Sequence, residues 1–283
     1  MIIELCGVPG AGKSTVAHVI VTELRGRGHA ASLPIEEVSP RRSRGDRLRR
    51  KLRRAAVEVA GHPQASARTV RAVMRSHQPT WRDVAVRSLN WLVLRAAMRR
   101  ASTTPGFHVF DQGLVQELCS LGFAGDAASV IDIADPGVAL LAPDLIVVVE
   151  AELGLANLRL AVRPGRESRV EAAGLGRRRE LERQAELVDE MLAAWTARFG
   201  DRVATTVRRI VNGDRPIDPP ALVASLHLLH GRTDDYTGDG ADRQGVLSET
   251  AAPRSDIGLQ ATARPERGEA PHHPHMTRRT QWS

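Results

Sequence analysis

The chain has 283 residues, 40 Lys or Arg against 33 Asp or Glu, a formal net charge of +7, and aromatic residues at only 3%. Two cysteines, Cys6 and Cys119, exclude a disulfide framework, and the longest apolar run, Leu145 to Val149, is far too short to cross a bilayer. The positive balance attracts anions without choosing among nucleotides, phosphorylated metabolites and nucleic acid.

The first fifteen residues carry the strongest signal. Ile2-Ile3-Glu4-Leu5-Cys6 reads as a short buried strand and leads directly into Gly7-Val8-Pro9-Gly10-Ala11-Gly12-Lys13-Ser14-Thr15, a complete GxxxxGKS phosphate-loop sequence. A helix follows from Thr15 to Arg25, with Val16, Ile20 and Leu24 at helical spacing. Backbone N–H groups must approach triphosphate oxygens closely, which Gly7, Gly10 and Gly12 permit. The helix start adds its positive dipole end. In this chemistry Lys13 reaches the β- and γ-phosphates and the Ser14 hydroxyl takes one position on Mg²⁺. Only Lys13 and Lys51 are lysines in a chain whose positive charge is otherwise arginine, which points to a need for a compact ammonium at position 13. Glu4 and this loop come too early for the apolar core of a signal peptide, so the expectation is a soluble, cytoplasmic protein with no membrane partner.

The segment His29 to Ile35 reads as a second strand. A basic run, Ser39 to Arg54, is open to three readings: a solvated helix face, a contact for a phosphorylated acceptor, or a nucleic-acid contact, the last weakened by the lack of interleaved aromatics. Helices are expected over Gln64–His77 and Thr80–Ala101, with Thr80 as N-cap. Trp81 and Trp91 lie at helical spacing among Val84, Leu89 and Leu92, which suits core residues or stacking partners for a base. Phe107 to Asp111 is a strand ending in a carboxylate. That is the arrangement of an acid held beside Mg²⁺ and the terminal phosphate, although a strand-end Asp can equally cap the next helix.

Gln112 to Leu121 and a stretch from Ala127 towards Pro143 read as helical. Asp144 to Glu150 is a continuous β-branched strand whose end carries Glu150, a weaker alternative to Asp111. A helix over Leu153–Val162, an arginine-containing loop over Arg163–Arg178 and a long helix over Arg179–Phe199 follow. A strand over Arg202–Val207 or slightly beyond and a helix over Pro220–Leu229 complete the elements. From Gly231 to Ser283 no apolar periodicity remains, so a disordered tail is expected. Alternating strands and helices imply an α/β fold, a parallel five-stranded sheet with helices on both faces, with ligands bound at the carboxyl ends of the strands.

The N-terminal GxxxxGKS, Asp111-Gln112-Gly113, the Pro143 to Val149 strand and the arginine-rich loop after it together resemble the nucleoside and nucleotide kinase group of P-loop proteins, thymidylate-kinase-like members above all, over residues 1–230. The resemblance implies the three-layer P-loop NTPase fold, with 36–102 as a helical acceptor-binding region and 159–178 as a lid. Arg159, Arg163 and Arg166 then neutralise charge on the transferred phosphoryl group, and Asn212 lies near the adenine. In that family the strand-end acid is followed by arginine; here Gln112 takes its place and Leu114 stands near the expected aromatic. Lys13, Asp111, Arg163 and Arg166 are thus the candidate catalytic residues. Residues Gly7 to Thr15 with Arg159 and Asn212 are candidates for ATP, and Ser14 with Asp111 for the metal. The expected activity is ATP- and Mg²⁺-dependent phosphoryl transfer to a small molecule. The rival is a nucleotide-dependent regulatory ATPase or switch with a protein or nucleic-acid partner. No Asn-Lys-x-Asp or Leu-Ser-Gly-Gly-Gln sequence is present to support a GTPase or an ABC motor.

Overall fold

Five parallel strands form the centre of the protein, seen in a computed structural model that describes residues 1–35, 44–123, 130–133, 141–162, 177–226 and 228. In chain order the elements are β1 (Ile2–Cys6), α1 (Lys13–Gly26), β2 (Ala31–Ser32), α2 (Arg44–Gly61), α3 (Pro63–Arg75), α4 (Trp81–Thr103), β3 (Phe107–Phe110) and α5 (Leu114–Gly122). A short 3₁₀ turn at Ile131–Ile133 precedes β4 (Leu145–Glu150), α6 (Leu153–Val162), α7 (Arg177–Phe199), β5 (Thr206–Val211) and α8 (Pro219–Ser225). The chain divides into a unit Met1–Thr233, which holds every described residue, and a unit Asp234–Ser283.

The strand order is β2-β3-β1-β4-β5, with Glu4 opposite Phe110 on one side and Ile146 on the other. Parallel strands need crossover connections, and the helices of those crossovers cover both faces. Side chains alternate along a strand. Ile3 and Leu5 therefore join Val109, Val147 and Val149 against Val16, Ile20 and Leu24 of α1, Leu160 of α6 and Leu222 of α8. Ile2 and Cys6 face the other way, with Phe110, Ile146 and Val148, against Trp91 and Met98 of α4, Leu118 of α5 and Met191 and Trp195 of α7. Glu4 lies between Ile2 and Cys6 in this second, apolar face.

Most elements stand where the sequence puts them, and Thr80 caps α4 by accepting the Asp83 N–H. Two strands and the pair of tryptophans differ for clear reasons. The second strand shrinks to two residues because the His29 N–H closes the end of α1 on the Leu24 carbonyl and Pro34 cannot donate to a ladder. The last strand begins at Thr206 rather than Arg202, because the N–H groups of Arg202 and Val203 are taken by the Phe199 carbonyl at the end of α7. Trp91 is fully buried in the core, which removes it as a stacking partner, whereas Trp81 is 75% exposed and is no core residue.

The basic run from Arg44 onward is helical, and α2 packs on α4 through Ala55, Leu92 and Val93. Between the two helices the buried Glu58 carboxylate takes Arg95 at 3.3 Å and Arg99 at 3.2 Å. Of the expected lid, 159–178, residues 159–162 end α6 and residues 177–178 begin α7 rather than forming a loop, and residues 163–176, including Arg163 and Arg166, lie outside the described residues, as do the expected tail and most of the stretch from Ala127 to Pro143.

Candidate active site

At the carboxyl end of β1 the chain turns through Gly10 (φ +82°) and Gly12 (φ +90°) into α1. Gly12 is the N-cap of α1 and supplies no side-chain hydrogen bond, and the first turn contains no acid. The leading N–H groups of the helix are therefore available to an anion, which the helix dipole also favours. A Cβ on Gly12 would overlap the Asn212 side-chain amide as well as strain the backbone. The Lys13 ammonium lies back over the loop, donating to the Gly7 carbonyl at 2.8 Å and the Val8 carbonyl at 3.0 Å.

The strand order makes this position a topological switch point: the chain leaves β1 for one side of the sheet and later returns to the other, opening a crevice at its carboxyl end. Asp111, one residue past β3, reaches that crevice from the neighbouring strand. Its Oδ2 accepts the Ser14 hydroxyl at 2.7 Å. Asp111 does not cap the following helix, since the N-cap of α5 is Gly113. Glu150, at the end of β4, is engaged elsewhere: it takes Arg209 of β5 at 2.7 Å, and Asp189 takes the other arm of that guanidinium.

Two residues from the far side close the loop from behind. The Asn212 side chain donates to the Ala11 carbonyl at 2.7 Å. Arg159, in the last turn of α6, donates to the carbonyls of Gly213 at 2.8 Å, Asn212 at 3.3 Å and Ala11 at 3.5 Å. Arg159 thus staples the phosphate loop to the segment after β5. Beside that staple, a cavity of about 750 Å³ is lined by residues 210–218 together with Ala221, Leu222 and Ser225.

Sequence reasoning passed over a second set of polar residues. Glu4 is fully buried, and its Oε1 accepts the Gln116 N–H at 2.9 Å. Burial pushes its carboxyl up to about 7, against the opposing pull of backbone N–H groups from Gln116, Val115 and Leu114. Gly113 has no Cβ because one would overlap that carboxyl. The Gln116 side chain in turn accepts the Gly7 N–H at 3.0 Å. The available signal was an acid at an inward position of an otherwise apolar strand.

One turn into α5, Glu117 faces Arg87 of α4 at 3.6 Å, and Lys51 of α2 donates to Asn90 of α4 at 3.0 Å. Burial raises the Glu117 carboxyl, with Arg87 and Lys51 pulling it back down.

No protein-family model and no curated protein matches the chain. Among solved structures it is similar to deoxyadenosine kinase from M. mycoides with bound dATP, at 16% identity and a TM-score of 0.42, covering 79% of this chain and 96% of that one. The same enzyme with bound dCTP aligns at 15% identity and a TM-score of 0.39 over 79% and 95% of the two chains. With dCMP and a flexible dCDP the values are 16%, 0.39, 79% and 95%.

Proposed function

We propose that the protein transfers a phosphoryl group from ATP to a small-molecule acceptor. The observation that carries this reading is the 2.7 Å bond between Ser14 and Asp111 beside the uncapped start of α1. A GxxxxGKS turn alone says that an anion is bound. A strand-end carboxylate on the hydroxyl that follows the lysine adds a place for a divalent cation next to that anion.

The donor set fits Mg²⁺. Hydroxyl and carboxylate oxygens are hard ligands, and Mg²⁺ commonly takes one or two protein groups and fills the rest of its shell with phosphate oxygens and water. Among the described residues no cluster of three His, Cys, Asp or Glu side chains forms an all-protein cage, so Ser14 and Asp111 are the groups that would hold it. Bound there, Mg²⁺ neutralises charge on the terminal phosphates.

In the reaction the acceptor oxygen bonds to the γ-phosphorus, the bond from that phosphorus to the β–γ bridging oxygen breaks, and the acceptor loses its proton. The chain's contribution is positioning and charge neutralisation. The leading N–H groups of α1 hold phosphate oxygens. Lys13 exchanges its two carbonyl partners for the β- and γ-phosphates, and Asp111 is also the group proposed to take the acceptor proton. Arg159 and Asn212 keep the loop in shape, with the adenine assigned to the neighbouring cavity. Arg163 and Arg166 are assigned to the lid by the family resemblance. Glu117, Arg87, Lys51 and Asn90 offer donors and acceptors to the second substrate on the α2–α4–α5 side.

A switch or regulatory ATPase is the second reading, favoured by Gln112 standing where the resembling family carries arginine. Incubation with ATP, Mg²⁺ and a pooled metabolite extract separates the two. Acceptor-dependent ADP formation with a phosphorylated product supports transfer. Tight ATP binding with no acceptor-stimulated turnover supports the switch.

A further inference from the structure

Gly7 opens the phosphate loop, and its N–H does not point at the place reserved for phosphates: Gln116 takes it, 109 positions along the chain. Gln116 itself is 8% exposed and has two tasks. Its side-chain oxygen holds Gly7, and its backbone N–H is held by Glu4 of β1. The N–H groups of Leu114 and Val115 also act on that carboxyl, which thus lies against the start of α5. Gly113 lets the chain pass over that carboxyl where any side chain would collide with it. The three residues Asp111, Gln112 and Gly113 therefore run between a β3 end fixed by strand pairing and a helix start fixed by Glu4.

The chemistry at position 116 is selective. A hydrocarbon would bury the Gly7 N–H without a partner, and a carboxylate would bury a negative charge against the Glu4 carboxyl and close to the triphosphate. A neutral carbonyl on a side chain of glutamine's length meets both conditions.

We propose that Gln116 is a positioning residue of the nucleotide site, fixing the first turn of the phosphate loop to the same helix start that sets the place of Asp111. Gln116 touches no substrate in this arrangement and acts through Gly7. The proposal rests on reading residues 7–15 as a triphosphate cradle.

The test is Gln116→Met, which keeps length and bulk and removes the acceptor, measured without any phosphoryl acceptor present. MgATP affinity is read by calorimetric titration, the Gly7 amide by its proton and nitrogen resonances, and folding by Tm. Ser120→Ala, on the same helix and hydrogen-bonded only to the Gln116 carbonyl among the bonds described, serves as the comparison for a purely structural loss. The expected result is a Kd for ATP raised about tenfold and an upfield move of the Gly7 amide proton in Gln116→Met, with neither in Ser120→Ala. Should Gln116→Met fail to fold, Gln116→Asn stays polar but ends one methylene short and gives the same readouts. Wild-type affinity together with an unmoved Gly7 resonance would overturn the proposal. Wild-type protein that binds no ATP would overturn it along with the cradle reading. ATP bound but transferred to no acceptor would overturn only the phosphotransferase reading, and the tenfold loss in the variant would still support the positioning role.

Discussion

The Ser14 hydroxyl and the Asp111 carboxylate, 97 positions apart, meet at 2.7 Å, one in the first turn of α1 and the other just past the end of β3. Replacing Asp111 by Asn keeps the hydrogen bond and removes the charge. The expected outcome is a turnover loss of about 10²–10³-fold with a much higher Mg²⁺ concentration for half-maximal activity and an unchanged Tm. Full activity with an unaltered Mg²⁺ titration would show that the metal is held elsewhere.

Lys13→Ala removes the ammonium that now rests on the Gly7 and Val8 carbonyls. Because Lys13 is itself only half-buried and gives up only bonds to backbone carbonyls of its own loop, folding should change little. Acceptor-dependent ADP release is expected to fall by about 10²–10³-fold. Release unchanged in this variant would mean that another protein in the preparation supplies it.

Gly12→Ala places a Cβ on the Asn212 amide at a backbone φ of +90°. The left-handed conformation alone costs about 1–2 kcal/mol for an L-residue, and the Asn212 bond to Ala11 must give way as well. Urea denaturation should show that loss, together with weakened ATP binding. Pairing the change with Asn212→Ala should recover part of the stability, and no recovery at all would show that the overlap contributes nothing.

Glu4 is expected to make stability fall as pH rises. Its carboxyl ionises near 4.5 in the unfolded chain and at about 7 in the fold, so the fold favours the protonated form. Below 4.5 both states are protonated and nothing is lost. Between 4.5 and 7 stability drops, reaching a deficit of about 3 kcal/mol above 7. Glu4→Gln removes the proton uptake, so its stability relative to the parent should improve from pH 5 to pH 8 by up to that amount. The titratable groups in the same field are the buried thiols of Cys6 and Cys119, both shifted upward by burial and by Glu4, and the Lys13 ammonium, whose charge both thiols also feel. A stability difference that stays flat with pH would show that Glu4 is ionised throughout.

Glu58→Ala leaves two guanidinium groups without their shared carboxylate between α2 and α4. Burial already pulls Arg95 below its usual ionisation, with Glu58 pushing it back up. Removing one partner of a buried ion pair costs about 3–5 kcal/mol, so the variant should unfold at markedly lower urea. Near-normal stability would mean that Arg95 finds water or another acceptor.

The elements that local pattern determines were legible in advance. The β4 run is apolar from Leu145 to Val149 because helices cover both of its faces, and the glycine spacing of the phosphate loop leaves few alternatives. Ser14 and Asp111 could be named because each ends a recognisable strand or opens a helix. Glu4 and Gln116 could not, since their meaning depends on which helix start the sheet order brings to β1. Pairings such as Glu58 with Arg95 are equally invisible: they depend on which turns of two helices meet, and arginine-rich helices offer many equivalent partners. Trp81 misleads by period alone, because it lies before the part of α4 that the core covers.

The bond from Asn212 to the Ala11 carbonyl spans 201 positions. During synthesis the glycine turn is made long before the two residues that hold it from behind: Arg159 arrives with α6, and Asn212 only after β5. Any partial chain that ends before β5 carries the loop without its Asn212 bond and leaves Arg159 without the Asn212 and Gly213 carbonyls, so high-affinity ATP capture should switch on only once the segment after β5 has been made.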